Sequence, residues 1–322
     1  MIDGSPGYDF VLSKIRQFVA EPLFEPPSEA LRFLPEGPRV LRHSGLPGHW
    51  LGWVAIQHSP EARAGSLNLF NLSTRENRSF ALQGRPGFFA ETATEGVILI
   101  GMDRRLVTFD WRTAEVSESG LVVSEDERVI INDGLAVEGG VLFGTKHLGF
   151  SEAIAAVYFY DWTSGRVHMV LEGQVCSNGK YLRRDAEGAT LIDIDSMPKT
   201  ISRYRLDAKL EKVIERTLLV APESLPGFPD GLRPSPDGES VIVAFYNPEA
   251  VSDGLARMYR LADGAIECEW VLPGSPRVTC PELVEIDGKW KIVFTTAVEG
   301  MAPEIRAMAP GAGSLYIADT PF

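Results

Sequence analysis

Hydrophobic residues fall in short runs along most of this chain, each broken by Gly, Asp, Asn or Ser. Examples are GVILIGM (96–102), RLVTFDW (105–111), GVLFGTKH (140–147), SVIVAFY (240–246) and KIVFTTA (291–297). Strand-like runs at such spacing, with few helical patterns between them, predict an all-β chain. One stretch departs from this. In YDFVLSKIRQFVA (8–20), Phe10, Val11, Ile15, Phe18 and Val19 recur at helical spacing, which predicts a short amphipathic N-terminal helix. The proline-rich stretch 21–38 (EPLFEPPSEALRFLPEGP) would end it.

The strand pattern repeats. An aromatic strand end followed by a polar turn occurs at Phe70, Phe109, Tyr160, Tyr204, Tyr259 and Tyr316, in steps of 39, 51, 44, 55 and 57 residues. Each step suits four short strands, and six copies predict a six-bladed β-propeller. A pair of β-sandwiches would not explain six marks. WD40 and kelch signatures are absent. The division expected is an N-terminal helix and Pro-rich lead-in over 1–30, then the propeller with a central metal site over 31–322.

Composition narrows the partners. The 322 residues carry a net charge of −13, which disfavours nucleic acid and anionic membranes because both require clustered Lys and Arg. No apolar run is long enough to span a bilayer. The first residues, MIDGSPGYDF, lack the basic and apolar regions of a secretory signal. Cys176, Cys268 and Cys280 form no Cys-x-x-Cys pair, so a disulfide scaffold or zinc site is not expected and a reducing cytoplasm is. All three are read as small buried hydrophobes. A closed propeller leaves few open edges, which predicts a monomer or weak homo-oligomer.

Candidate chemistry lies in phase with the repeat. Some 18 to 26 residues after four of the aromatic marks come Asn132, Asn178, Asp230 and Glu282, and Glu36 occupies the equivalent place in the first blade. Glycine follows Glu36, Asn178 and Asp230 directly and follows Asn132 after Asp133. In isolation, Asn178-Gly179 reads as a tight hairpin turn. Its phase instead places it at the inner end of a blade, where glycine lets backbones converge. Glu36, Asn178 and Asp230 offer two carboxylates and an amide oxygen. That donor set suits one hard divalent cation, calcium first, with magnesium, manganese or zinc as alternatives. Such an ion polarises an ester carbonyl, and a neighbouring carboxylate can act as general base.

The segments LPEGP (34–38), INDGLAVEGGVLFGTK (131–146), CSNGKYL (176–182) and FPDGLRPSPDGESVIVAFYN (228–247), in this order, resemble the senescence marker protein, gluconolactonase and regucalcin family. The likeness continues into the closing VEGMAPEIRAMAPGAGSLYIAD. The resemblance implies a six-bladed propeller with one divalent ion in its channel and hydrolysis of a lactone or related ester. Carried over motif by motif, Glu36, Asn178 and Asp230 would be the metal ligands. Asp230 would also be the general base, and Asn132 would contact water or substrate.

The chain departs from the family where sugar lactonases carry an arginine, two residues before the Asn-Asp-Gly asparagine. Here that residue is Ile130, which argues against an aldonolactone with many hydroxyls. Arg128, about 7 Å further along a strand, and Lys146 and His147 are candidate substrate contacts. Glu282, in TCPELVEIDG, is expected to add a carboxylate at the channel mouth. The other histidines, and Trp111 and Trp162 at matching repeat positions, are read as packing or rim residues.

The function expected is a cytoplasmic, divalent-metal-dependent lactonase acting on a small-molecule lactone or ester. The alternatives are an esterase, a phosphotriesterase or another metal-dependent reaction on the same site, or a non-enzymatic propeller binding calcium or a sugar acid. No Gly-x-Ser-x-Gly, His-Glu-x-x-His or phosphate-binding glycine loop supports a serine hydrolase, zincin or nucleotide enzyme.

Overall fold

A computed structural model describes residues 15–43 and 45–322. The described chain opens with two short strands, β1 (Arg16–Val19) and β2 (Glu21–Phe24), and one helical turn, α1 (Glu29–Arg32). Four-stranded antiparallel blades then follow in chain order. Blade one is β3 (Pro35–Leu41), β4 (Trp50–Ala55), β5 (Gly65–Asn71) and β6 (Asn77–Leu82). Blade two is β7 (Pro86–Glu91), β8 (Val97–Met102), β9 (Arg105–Asp110) and β10 (Glu115–Val122). Blade three is β11 (Val129–Val137), β12 (Gly140–His147), β13 (Ala155–Asp161) and β14 (Val167–Gln174).

Blade four is β15 (Ser177–Asp185), β16 (Gly188–Asp195), β17 (Thr200–Leu206) and β18 (Val213–Val220). Blade five is β19 (Phe228–Pro234), β20 (Ser240–Tyr246), β21 (Gly254–Arg260) and β22 (Ile266–Leu272). Blade six takes β23 (Val278–Ile286), β24 (Lys289–Thr296) and, after a short helix α2 (Pro303–Met308), β25 (Leu315–Asp319). Its fourth strand is β2, which pairs antiparallel with β25 (Glu21 opposite Ile317). The two ends of the chain thus close the ring of a six-bladed β-propeller, which removes the open seam a linear array would leave.

The hydrophobic runs are continuous because each blade is buried on both faces. Six apolar clusters result, and each fills the seam between two neighbouring blades. In the seam between blades two and three, Phe88 stacks on Phe143 at 5.4 Å and Phe143 on Tyr158 at 5.6 Å. All six aromatic marks lie on the third strand of their blades, and five of them are buried in these seams. Trp111 packs half-buried on the first seam. Trp162 does not pack: it is 37% exposed and meets Tyr160 edge-on.

The N-terminal helix is corrected in its second half. Residues 16–19 form a strand that pairs parallel with β22, Arg16 opposite Cys268, and Phe18 stacks on Trp270 at 5.6 Å. The outer edge of blade five offers a row of unpaired backbone groups. Pairing with it overrides a local helical pattern that has only modest intrinsic preference. The first half of the expected helix, with Phe10 and Val11, lies outside the described residues. Among the described residues, no helix is long and apolar enough to cross a membrane. Cys176, Cys268 and Cys280 are all buried free thiols, in keeping with their reading as small buried hydrophobes.

Candidate functional site

The first strand of every blade lines the central channel, and every one carries a one-residue bulge near its start. In β11 the pairing jumps from Ile131–Thr145 to Gly134–Phe143, leaving Asn132 and Asp133 opposite a single residue. The same break isolates Asn178-Gly179 in β15 and Asp230-Gly231 in β19, and in β3 it follows Glu36. A bulge interrupts the alternation of strand faces and re-aims a side chain. Here it turns Glu36, Asn132, Asn178 and Asp230 toward the axis. Glycine beside them has two distinct causes. A Cβ on Gly231 would meet Cys280 Cα at 2.6 Å, so the neighbouring inner strand leaves no room for one. Gly37 has open space but adopts φ +52°, a left-handed conformation that glycine tolerates best.

These side chains converge at one mouth of the channel, in a cavity of about 240 Å³ whose wall includes Glu36, Asn132, Lys146, Asn178 and Asp230. A hydrogen-bond relay fixes the amides. Ser196 Oγ donates to the Pro229 carbonyl (2.7 Å), so it can only accept from Asn178 Nδ2 (2.8 Å). Asn178 Oδ1 must therefore face the other way, where Asn132 Nδ2 donates to it at 2.9 Å. Asn132 Nδ2 also reaches the Ser177 carbonyl at 3.1 Å. One lone pair of Asn178 Oδ1 and the whole of Asn132 Oδ1 stay available.

The two carboxylates are electrostatically uncomfortable. Burial, then repulsion from Asp133, pushes Glu36 up to about 8. Burial, then Glu36 and Asp133, raises Asp230 well above the usual carboxylate range. Lys146 opposes both shifts. Two buried acids in one cavity, with Asp133 opposing the charge of both and Glu36 that of Asp230, are the donors that a divalent cation would neutralise. Among the described residues, no three His, Cys, Asp or Glu side chains are grouped to hold an ion. The third protein donor would thus be the Asn178 amide oxygen, leaving an all-oxygen set with positions over for water or substrate. Burial holds the Cys176 thiol at about 12, too high for a neutral-pH nucleophile.

The support beneath Asn178 is itself polar and buried. Lys180 Nζ donates to the Asn178 carbonyl and lies 3.6 Å from Asp193 Oδ1, which also accepts from Ser177 Oγ at 3.3 Å. Asp195 accepts from the Val175 and Cys176 N–H groups at 3.0 and 2.8 Å, fixing the strand entry.

Three expected substrate contacts are not in the cavity wall. Glu282 sits past the bulge of β23, where it pairs with Arg233 at 2.6 Å and lies 3.8 Å from Arg39. Those three residues line a separate cavity of about 610 Å³ at the opposite end of the channel. Arg128 precedes β11 and is exposed, bound to Asp126 (2.7 Å) and Glu152 (2.9 Å). His147 is buried with Nδ1 accepting from the Ser151 and Glu152 N–H groups, so it braces a turn. Ile130 likewise lines a neighbouring cavity with Arg85 and Arg104.

Sequence reasoning missed Glu299, Tyr246, Ser196 and an apolar wall that includes Phe150, Met197 and Phe228. These sit on loops after second strands or at strand ends, outside the phase of the inner-strand marks. Only Glu299-Gly300 carried a usable signal, being another acid–glycine pair.

Comparison with known proteins agrees with this fold. The chain is 24% identical to an L-arabinolactonase of Azospirillum brasilense over 72% of its own length and 73% of that protein. Its fold matches a calcium-binding protein, regucalcin, from Agrobacterium tumefaciens, with a TM-score of 0.77, 20% identity and 95% of each chain covered. It also matches a gluconolactonase from Xanthomonas campestris, with a TM-score of 0.62 at 13% identity, covering 90% of this chain and 86% of that one. The model of the SMP-30/gluconolactonase/LRE-like region matches residues 34–297, most of the propeller. The chain belongs to the SMP-30/gluconolactonase/LRE-like family.

Proposed function

We propose that this propeller is a divalent-metal-dependent lactonase that opens a small cyclic ester. The observation that carries the reading is the convergence of Glu36, Asn132, Asn178 and Asp230 in one cavity, with both acids buried and the charge of Asp230 opposed by Glu36. Glu36, Asp230 and the Asn178 amide oxygen would hold the ion, calcium first. When bound, a divalent cation supplies positive charge that offsets the acids and polarises an ester carbonyl.

The remaining work falls to the chain's own groups. Asp230 takes a proton as a water oxygen bonds to the carbonyl carbon. The ring C–O bond then breaks, and the departing oxygen receives that proton, so water plus lactone gives one hydroxy acid. Asn132 orients water or substrate through Oδ1, because its Nδ2 is already committed to Ser177 and Asn178. Lys146 supplies the fixed positive charge on the wall of the same cavity.

The reading is tested by removing the ion. Chelator-treated protein is expected to lose hydrolysis of a mixed lactone panel by about 100-fold or more, the size of a lost Lewis acid. Added calcium should restore it. Full activity after chelation, with the metal content verified at zero, would refute metal dependence.

A further inference from the structure

We infer that the substrate of this site is a lactone bearing an apolar substituent, not a polyhydroxylated one. The inference rests on the lactonase reading and adds the substrate class. Two independent features of the cavity carry it.

The first is the wall. Leu34, Ile56, Phe150, Met197, Phe228 and Pro248 surround the carboxylate and amide cluster. Tyr246 adds its ring, while its hydroxyl donates outward to the Glu299 carbonyl at 3.0 Å. Phe228 is held in place by Lys199, whose Nζ lies 4.8 Å from the ring centroid. A cavity of about 240 Å³ with this lining fits a small ring carrying a short hydrocarbon chain.

The second is the state of the polar groups. The neutral ones that could meet sugar hydroxyls already serve each other. Asn132 Nδ2 bonds to Asn178 and Ser177, Asn178 Nδ2 to Ser196, and Ser196 Oγ to Pro229. Glu36 and Asp230 are the proposed ion donors. That leaves Asn132 Oδ1, Lys146 and the Glu299 carboxylate, too few for a ring of hydroxyls. Each substrate hydroxyl buried without a partner weakens binding by about 5- to 150-fold. A substituent without hydroxyls incurs no such loss and gains from the apolar wall.

The test uses the calcium-loaded protein and a graded series. Values of kcat/KM are measured for γ-butyrolactone, γ-hexalactone, γ-octalactone and D-glucono-δ-lactone. The expected result is a rise of about fourfold for each methylene added, until the cavity fills. The glucono-lactone should fall below γ-octalactone by at least about tenfold. Phe228→Ser and Met197→Ser should each flatten the dependence on chain length.

Calorimetric binding of cyclopentanone and 2-butylcyclopentanone, which have no ester to cleave, gives a readout without turnover. The butyl compound should bind more tightly. A flat chain-length series, or glucono-lactone turned over as fast as γ-octalactone, overturns the substrate class while leaving the lactonase intact. If no lactone is hydrolysed yet the butyl ketone binds more tightly, the apolar pocket stands and the lactonase reading fails.

Discussion

Asp230→Ala is expected to lower kcat for lactone hydrolysis by about three orders of magnitude or more, and to weaken calcium binding as well. Two losses combine in this variant. A positioned general base contributes roughly 10²- to 10⁴-fold, and the same side chain is one of the two carboxylates proposed to hold the ion. Asp230→Asn separates the two roles. Its amide oxygen can still face an ion, but it cannot take a proton at neutral pH. Turnover should therefore fall further than ion affinity in the Asn variant, whereas both fall in the Ala variant. Steady-state kinetics beside calorimetric calcium titration checks this, and an Asn variant with near wild-type kcat would remove Asp230 from the role of base.

The largest stability effect is expected at Lys180→Met. The Lys180 side chain is 0% exposed and that of Asp193 1% exposed, and the lysine also satisfies the Asn178 carbonyl. Removing the ammonium strands a buried carboxylate and a buried carbonyl together, a loss of about 3–5 kcal/mol. The loss should depend on pH. Burial raises Asp193 to about 7 against the lowering effect of Lys180, with Asp195 adding to the rise. A carboxyl raised in this way contributes stability that is present below its unfolded value of 3.8 and lost as pH climbs through about 7. Without Lys180 the carboxyl rises further, so the variant's deficit grows as pH passes from about 6 to about 8. Denaturant unfolding at both pH values measures it. A deficit under about 1 kcal/mol, or one that shrinks with pH, would show the pair to be unimportant. Lys180→Met with Asp193→Asn should recover part of the loss, because no lone charge remains.

The blade count was legible in the chain because each third strand carries a large aromatic at the seam, buried at five repeats, as with Phe70, Phe109 and Tyr316, and partly buried at Tyr160. Glu36, Asn132, Asn178 and Asp230 were legible because the inner-strand bulge leaves a local trace, a polar residue with glycine beside or near it. Glu282 lacked that trace. The bulge of β23 falls at Thr279, between Val278 and Cys280, so counting 52 residues from Asp230 overshot it by three. The N-terminal strand was not legible because its partner lies far along the chain: Gln17 meets Glu269, 252 residues away. The apolar wall is gathered from loops of several blades and has no period to reveal it.

The central claim is that Glu36, Asn178 and Asp230 together hold one divalent ion at the channel mouth. Calorimetric titration of calcium into chelator-treated wild type and into Glu36→Gln tests it most directly. Glu36 is proposed as an ion ligand alone and no proton transfer is assigned to it, so its loss reads binding by itself. The expected result is one calcium per wild-type chain and at least about tenfold weaker binding in the variant, as befits one lost charged ligand. Equal binding by the two proteins, or no binding by the wild type, would contradict the claim.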